Sequence, residues 1–92
     1  MFTSLRIRGG RASLLWGHRP VAVLKSWSIA KRKGQWELNG ALERVDAFQV
    51  RQRPLLFTAP REGTRDGFWA WPIIDVRVGP NQLRATLGQP EQ

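Results

Sequence analysis

Apolar and polar residues alternate along most of the chain, the period of two that sends successive side chains to opposite faces of a strand. Candidate strands are tested by folding them about their turns and asking whether one face comes out apolar. Three hairpins pass. The first turns at Gly9-Gly10, a pair suited to the positive backbone angles of a two-residue turn. It collects Leu5, Ile7, Ala12, Leu14 and Trp16 on one face, and Arg6, Arg8 and Arg11 on the other with no acid among them.

The second hairpin turns over Lys31-Arg32-Lys33-Gly34, read as a four-residue loop, and sets Ile29 opposite Trp36, Trp27 opposite Leu38, and Lys25 opposite Gly40. That face is apolar except at Lys25, whose stem is expected to cover the space Gly40 leaves open. Gly40 itself is read as a strand interior or bulge. The third hairpin turns at Pro80-Asn81 and matches Val78 with Leu83, Val76 with Ala85, and Ile74 with Leu87. Its reverse face pairs Arg77 with Arg84 beside Asp75, an arrangement expected to form a surface ion cluster. Continued upstream, the same parity places Phe68, Ala70, Pro72 and Ile74 on the core face and Trp69, Trp71 and Ile73 on the opposite one.

Between the second and third hairpins, Asp46 is placed to cap a short helix from Ala47 to Arg53, with Phe48 as its buried anchor and Pro54 as its stop; an irregular strand is the alternative. Leu55 to Thr58 reads as one more short strand, and Pro60 to Gly67 has the punctuation of an exposed loop. The expectation is an all-β fold: a small antiparallel β-sandwich or barrel of about six to seven strands built from three hairpins, with one short helix near 46–53 at most. Residues 1–88 form a single β domain in this reading, and 89–92 a polar C-terminal tail.

Composition narrows the classes. With 92 residues, 41% hydrophobic and 24% charged, the chain has the balance of a folded globular protein rather than a disordered or collagen-like one. Cysteine is absent and histidine occurs once, which removes a disulfide scaffold, a thiol nucleophile and a zinc site of Cys and His. The longest apolar run, Phe68 to Ile74, is too short to span a bilayer, and arginines occupy the place of a signal peptide's apolar stretch. No membrane association is expected, and the place assigned is intracellular or virion-associated.

Fifteen basic against seven acidic residues give +8, and twelve of the fifteen are arginine, the cation suited to bidentate contacts with carboxylate or phosphate. An anionic partner is expected. The basic residues collect in the Arg6, Arg8, Arg11 face, the Lys31-Arg32-Lys33 tip, Arg51 with Arg53, and Arg61 with Arg65. The last group alternates with acids and reads as self-neutralising. Five tryptophans are the other unusual feature: Trp16, Trp27 and Trp36 fall on core faces, whereas Trp69 and Trp71 are either an exposed patch for a partner or the inside of a closed barrel.

Catalytic chemistry finds no purchase. The carboxylates are scattered singly, His18 sits at a turn with no identifiable partner, and no serine or glycine loop has the setting of a nucleophile or phosphate cradle. No catalytic, cofactor-binding or metal-binding residue is assigned, and the chain is read as a non-enzyme. The contact residues expected for a partner or polyanion are Arg6, Arg8, Arg11, Lys31, Arg32, Lys33, Arg51, Arg53, Trp69 and Trp71. The leading expectation is a structural or interaction module that docks onto protein subunits of a larger assembly, as accessory proteins of a bacteriophage-like virion do, with self-association compatible. The alternative is a small basic barrel that binds nucleic acid through phosphate contacts and tryptophan stacking. Convergence of the basic clusters with the tryptophans on one face favours nucleic acid; dispersal favours protein neighbours.

Overall fold

A computed structural model describes residues 6–60 and 68–88. Seven strands form in chain order: β1 (Arg6–Gly9), β2 (Ala12–Trp16), β3 (Arg19–Arg32), β4 (Gln35–Val45), β5 (Leu55–Pro60), β6 (Phe68–Val78) and β7 (Gln82–Leu87). They build a closed six-stranded antiparallel barrel with one extra strand, β1. Two three-strand meanders, β2-β3-β4 and β5-β6-β7, close on each other through β4 with β7 and β2 with β5. Closure leaves the six barrel strands without open edges, the usual hazard of a small sheet protein. Among the described residues no helix is long and apolar enough to cross a membrane.

The barrel is all-β as expected, but the first hairpin does not form. β1 and β2 do not pair with each other; both run antiparallel to β3, with Ile7 opposite Ile29 and Leu14 opposite Ala22. β4 occupies the other edge of β3 along its length, so β1 and β2 follow one another down a single edge and Gly10-Arg11 is a kink between them. β3 offers apolar partners to both segments over its 14 residues, more than β1 could gain by folding back on β2. The turn that does form is at Gly17-His18, where Gly17 takes a φ of +66°.

The second hairpin forms with a tighter turn. Lys33 and Gly34, with φ of 52° and 80°, make the two-residue loop, and the pairing runs Arg32 with Gln35, Ile29 with Leu38 and Trp27 with Gly40. This moves the partner by two positions relative to the four-residue reading along the regular part of β3, from Ser26 to Arg32, and adds ladder pairs. A shift of two preserves face, so the apolar assignment holds: Trp27, Ile29 and Leu38 are buried and Trp36 packs against them. Lys25, however, is exposed, and the space above Gly40 is filled by Leu24, brought round by the irregular pairing at Val23, Leu24 and Ser26.

The third hairpin keeps its turn and the Val78–Leu83 and Val76–Ala85 pairs, then departs. A bulge between Ile73 and Asp75 pairs Ile73 with Leu87 and leaves Ile74 standing out, 63% exposed. One extra residue reverses the parity upstream. Trp71 and Ile73 therefore lie in the core and Trp69 packs against it, while Pro72 and Ala70 take the outer side, the opposite of the sequence expectation. Trp71 meets Trp36 edge to face at 5.1 Å and 65°, and Trp27 meets Phe57 likewise at 5.1 Å and 72°. The Nε1 atoms of Trp27 and Trp71 are both buried and have no hydrogen-bond partner among the described residues. Such groups cost roughly 1–3 kcal/mol each, which ring packing must offset.

The connection from β4 to β5 crosses the barrel beside β2 and β3 as a single 3-10 turn, Gln49–Arg51. Asp46 does cap it: its Oδ1 accepts from the backbone N–H of Phe48 at 3.0 Å and of Gln49 at 2.9 Å. The expected longer helix and its anchor are corrected. Val50 is the fully buried residue, and Phe48 is 77% exposed, because three residues of 3-10 turn present only one side chain inward. Of the loop expected over Pro60 to Gly67, Pro60 ends β5 instead, and 61–67, with Arg61 and Arg65, lie outside the described residues, as do Leu5 and the tail 89–92.

Candidate docking surface

The pairing registers place an uninterrupted row across five strands on the outer face. Arg8 of β1 stands opposite Ser28 of β3, Ser28 opposite Asn39 of β4, Asn39 opposite Arg84 of β7, and Arg84 opposite Arg77 of β6. Paired residues in neighbouring strands share a face, so the whole row points outward. Two positions along, Ala30, Glu37, Thr86 and Asp75 form a second row beside the first. Ser26, Ala41 and Gln82 form a third on the other flank.

Side-chain size shapes this face. Serines and alanines on β3 and β4 leave a hollow of about 530 Å³ between Arg8 and Arg84, floored by Gly40 and Trp27. A second depression of about 260 Å³ lies over Glu37, Asp75, Arg77 and Thr86, and shares Asn39 and Arg84 with the first. Asn39 Oδ1 accepts from Nε of Arg84 at 3.0 Å, which leaves the two terminal nitrogens of that guanidinium to face a partner. Asp75 was expected to neutralise Arg77 and Arg84; among the described residues neither arginine makes an ion pair, the one such pair being Arg11 with Glu43. The like-charged cross-strand pair therefore makes no direct ion pair, while Glu37 and Asp75 line the same depression and offset part of a repulsion of a few tenths of a kcal/mol up to about 1.

The other expected contact residues are scattered. Arg6 opens β1 opposite Ala30. Arg11 is bound to Glu43 at 2.9 Å, an acid from a different strand that the hairpin reading could not supply. Lys31 lays its Nζ over the ring of Trp36 at 5.5 Å, so it serves packing as well as charge. Arg32 closes β3, two residues beyond Ala30 and on the same outer side, while Lys33 holds the left-handed turn. Arg51 ends the 3-10 turn, exposed, and Arg53 donates from Nη1 to the carbonyl oxygens of Val50 at 3.3 Å and Gln52 at 2.9 Å. Trp71 is buried in the core, whereas Trp69, half-buried against it, lines a depression of about 320 Å³ together with Arg8 and Arg11.

Of the expected residues, the row keeps Arg8; it adds Arg77 and Arg84, which sequence reasoning set aside as a self-contained cluster. The signal was present in the correctly read Arg77–Arg84 pair. What was missing was the β4–β7 and β1–β3 neighbourhood, which hairpin logic does not reach. No three His, Cys, Asp or Glu side chains gather among the described residues. The chain matches no family model, no curated protein and no solved structure.

Proposed function

We propose that this protein is a non-enzymatic docking module, a small basic barrel that attaches to protein subunits of a larger assembly, the kind of role accessory virion proteins fill. The observation that carries the reading is the division of labour between its two unusual residue types. The tryptophans Trp27 and Trp71 are spent on the core, while arginines stand outward on separate parts of the barrel. A sequence-independent nucleic-acid binder needs aromatic faces beside its basic groove. Among the described residues the exposed aromatic is Phe48, on the β4–β5 crossover two residues after Asp46, whose N–H donates to the carbonyl oxygen of Val21, seven residues of β3 or about 23 Å from the arginine row at Ser28.

The expected result of titrating the protein with labelled single- and double-stranded oligonucleotides is charge-driven binding no tighter than about 1 μM at about 50 mM salt, lost by about 200 mM. Submicromolar binding that persists at the higher salt would return the nucleic-acid module to first place.

A further inference from the structure

β2 has β5 beside it as far as Ser13 and Thr58, whereas β1, beyond the Gly10-Arg11 kink, pairs with β3 alone among the described strands. A cleft of about 320 Å³ opens there, lined by β1, Trp27, Pro60 and Trp69. We infer, resting on the docking reading, that this cleft seats one aromatic side chain of a partner protein, with a neighbouring carboxylate of the partner held by Arg8.

Two glycines keep side chains out of the cleft. Gly9 pairs with Trp27, and a Cβ on it would stand 2.7 Å from the indole, so the ring packs directly on the backbone. A Cβ on Gly10 would meet nothing within 4 Å, so the kink itself is open. Glycines in such a place let another group approach the backbone closely. Ile7, Pro60 and the two indoles give the cleft apolar walls, and its volume is at the small end of the range of about 300–1,000 Å³ for ligand clefts, room for one ring rather than an extended ligand. A ring desolvated in such a pocket is the kind of contact that dominates an interface.

Charge selects what accompanies the ring. Arg8 and Arg11 are the charged residues of the cleft, and among the described residues no acid lines it. Nη2 of Arg11 is taken by Glu43 at 2.9 Å, whereas Arg8 makes no ion pair among the described residues and keeps its fork for a carboxylate from outside. The lining favours protein over nucleotide. Every nucleobase carries at least one N–H donor, and the side chains here, indole and guanidinium included, offer it no acceptor; a phenyl ring has no such group to leave unpaired.

The test titrates the protein, followed by NMR at about 50 mM salt, with the end-capped peptide Gly-Ser-Glu-Phe-Glu-Ser-Gly, a counterpart with alanine for the phenylalanine, one with glutamine for both glutamates, and adenosine 5′-monophosphate. The phenylalanine peptide should bind about tenfold or more tightly than the alanine one, and about threefold or more tightly than the glutamine one. Its binding should shift the indole N–H resonances of Trp27 and Trp69 and leave that of Trp16, outside the cleft, in place. Arg8→Ala and Gly10→Glu should each weaken it about fivefold or more, whereas Arg44→Ala, which lowers the net charge by the same single unit outside the cleft, should cost under about twofold. All three positions are exposed, and unchanged thermal unfolding confirms that each variant is folded. Equal losses in the three variants, or equal binding of the phenylalanine and alanine peptides, would reduce the effect to net charge and overturn the site. So would no binding of the phenylalanine peptide, or tighter binding of the nucleotide. If the peptide fails while the protein still associates with its assembly, the cleft assignment falls and the docking reading survives on another surface; the converse result would keep the cleft and remove the docking reading.

Discussion

Trp71→Ala is expected to destabilise the protein by about 3–5 kcal/mol, the range for emptying a large aromatic site in a core. Trp71 is 2% exposed, faces Trp36 edge to face at 5.1 Å and lies 6.3 Å from Trp69, so its removal leaves two neighbouring rings without their shared contact. A chain of 92 residues has a total stability of roughly 5–14 kcal/mol, which makes this a large fraction of the whole. Thermal unfolding followed by far-UV circular dichroism should show a midpoint at least about 12 °C lower. Trp71→Phe should cost only about 1–2 kcal/mol, because the smaller ring keeps part of the packing and removes an indole N–H with no partner among the described residues. A loss below about 1 kcal/mol for the alanine variant would mean that the ring is not sealed inside the barrel, and would restore Trp71 to the exposed surface.

The second large effect is expected at Gly40. A Cβ added there would stand 2.6 Å from Cδ1, 3.0 Å from Cδ2 and 3.2 Å from Cγ of Leu24. Leu24 is fully buried, so its side chain has no open space to retreat into. Gly40 is also paired on both sides, with Trp27 of β3 and Leu83 of β7, and the backbone cannot bow outward without opening two ladders. Gly40→Val should cost about 3 kcal/mol by overpacking. The clash is pairwise, so Gly40→Val/Leu24→Ala should be at least about 1 kcal/mol more stable than the sum of the single losses implies, as read by urea denaturation. Simple additivity would place the strain elsewhere.

Local features of this fold were readable wherever the chain meets itself within a hairpin. The Pro80-Asn81 turn and the Val78–Leu83 and Val76–Ala85 pairs follow from alternation alone, and the apolar face of β3 and β4 survived a wrong turn length because a shift of two residues does not change which side points inward. The Asp46 cap was readable from one residue type next to an apolar run. The errors share a cause. Alternation says nothing of an inserted residue, so the bulge at Ile74 inverted the faces of Trp69 and Trp71, although Pro72 next door, which cannot donate to a ladder, marked the place as irregular. Gly9-Gly10 looked like a turn because two glycines permit one. The structure uses Gly9 for close packing instead: a Cβ there would lie 2.7 Å from the ring of Trp27.

The candidate site was the least legible part for a related reason. Arg77 and Arg84 face each other within one hairpin, but Arg8 of β1 is far from them in sequence and is joined to them through β3 and β4. Each was visible singly as part of a charge excess, and the Arg77–Arg84 pair was read correctly. Only barrel closure shows that Arg8 stands in line with them and that Asn39 braces Arg84. Of the basic residues clustered in sequence, Lys33 holds a turn, Lys31 meets the ring of Trp36 and Arg53 bonds backbone carbonyls, while Arg32 and Arg51 stand exposed.

The most direct test of the docking account is the sedimentation of the tagged protein in extracts of its native source, before and after nuclease digestion, alongside Arg77→Glu/Arg84→Glu. The account predicts that the protein travels with a fast-sedimenting protein assembly, that nuclease does not release it, and that the charge-reversed variant moves to the top of the gradient. A protein found free at the top, or one that nuclease releases, would contradict it.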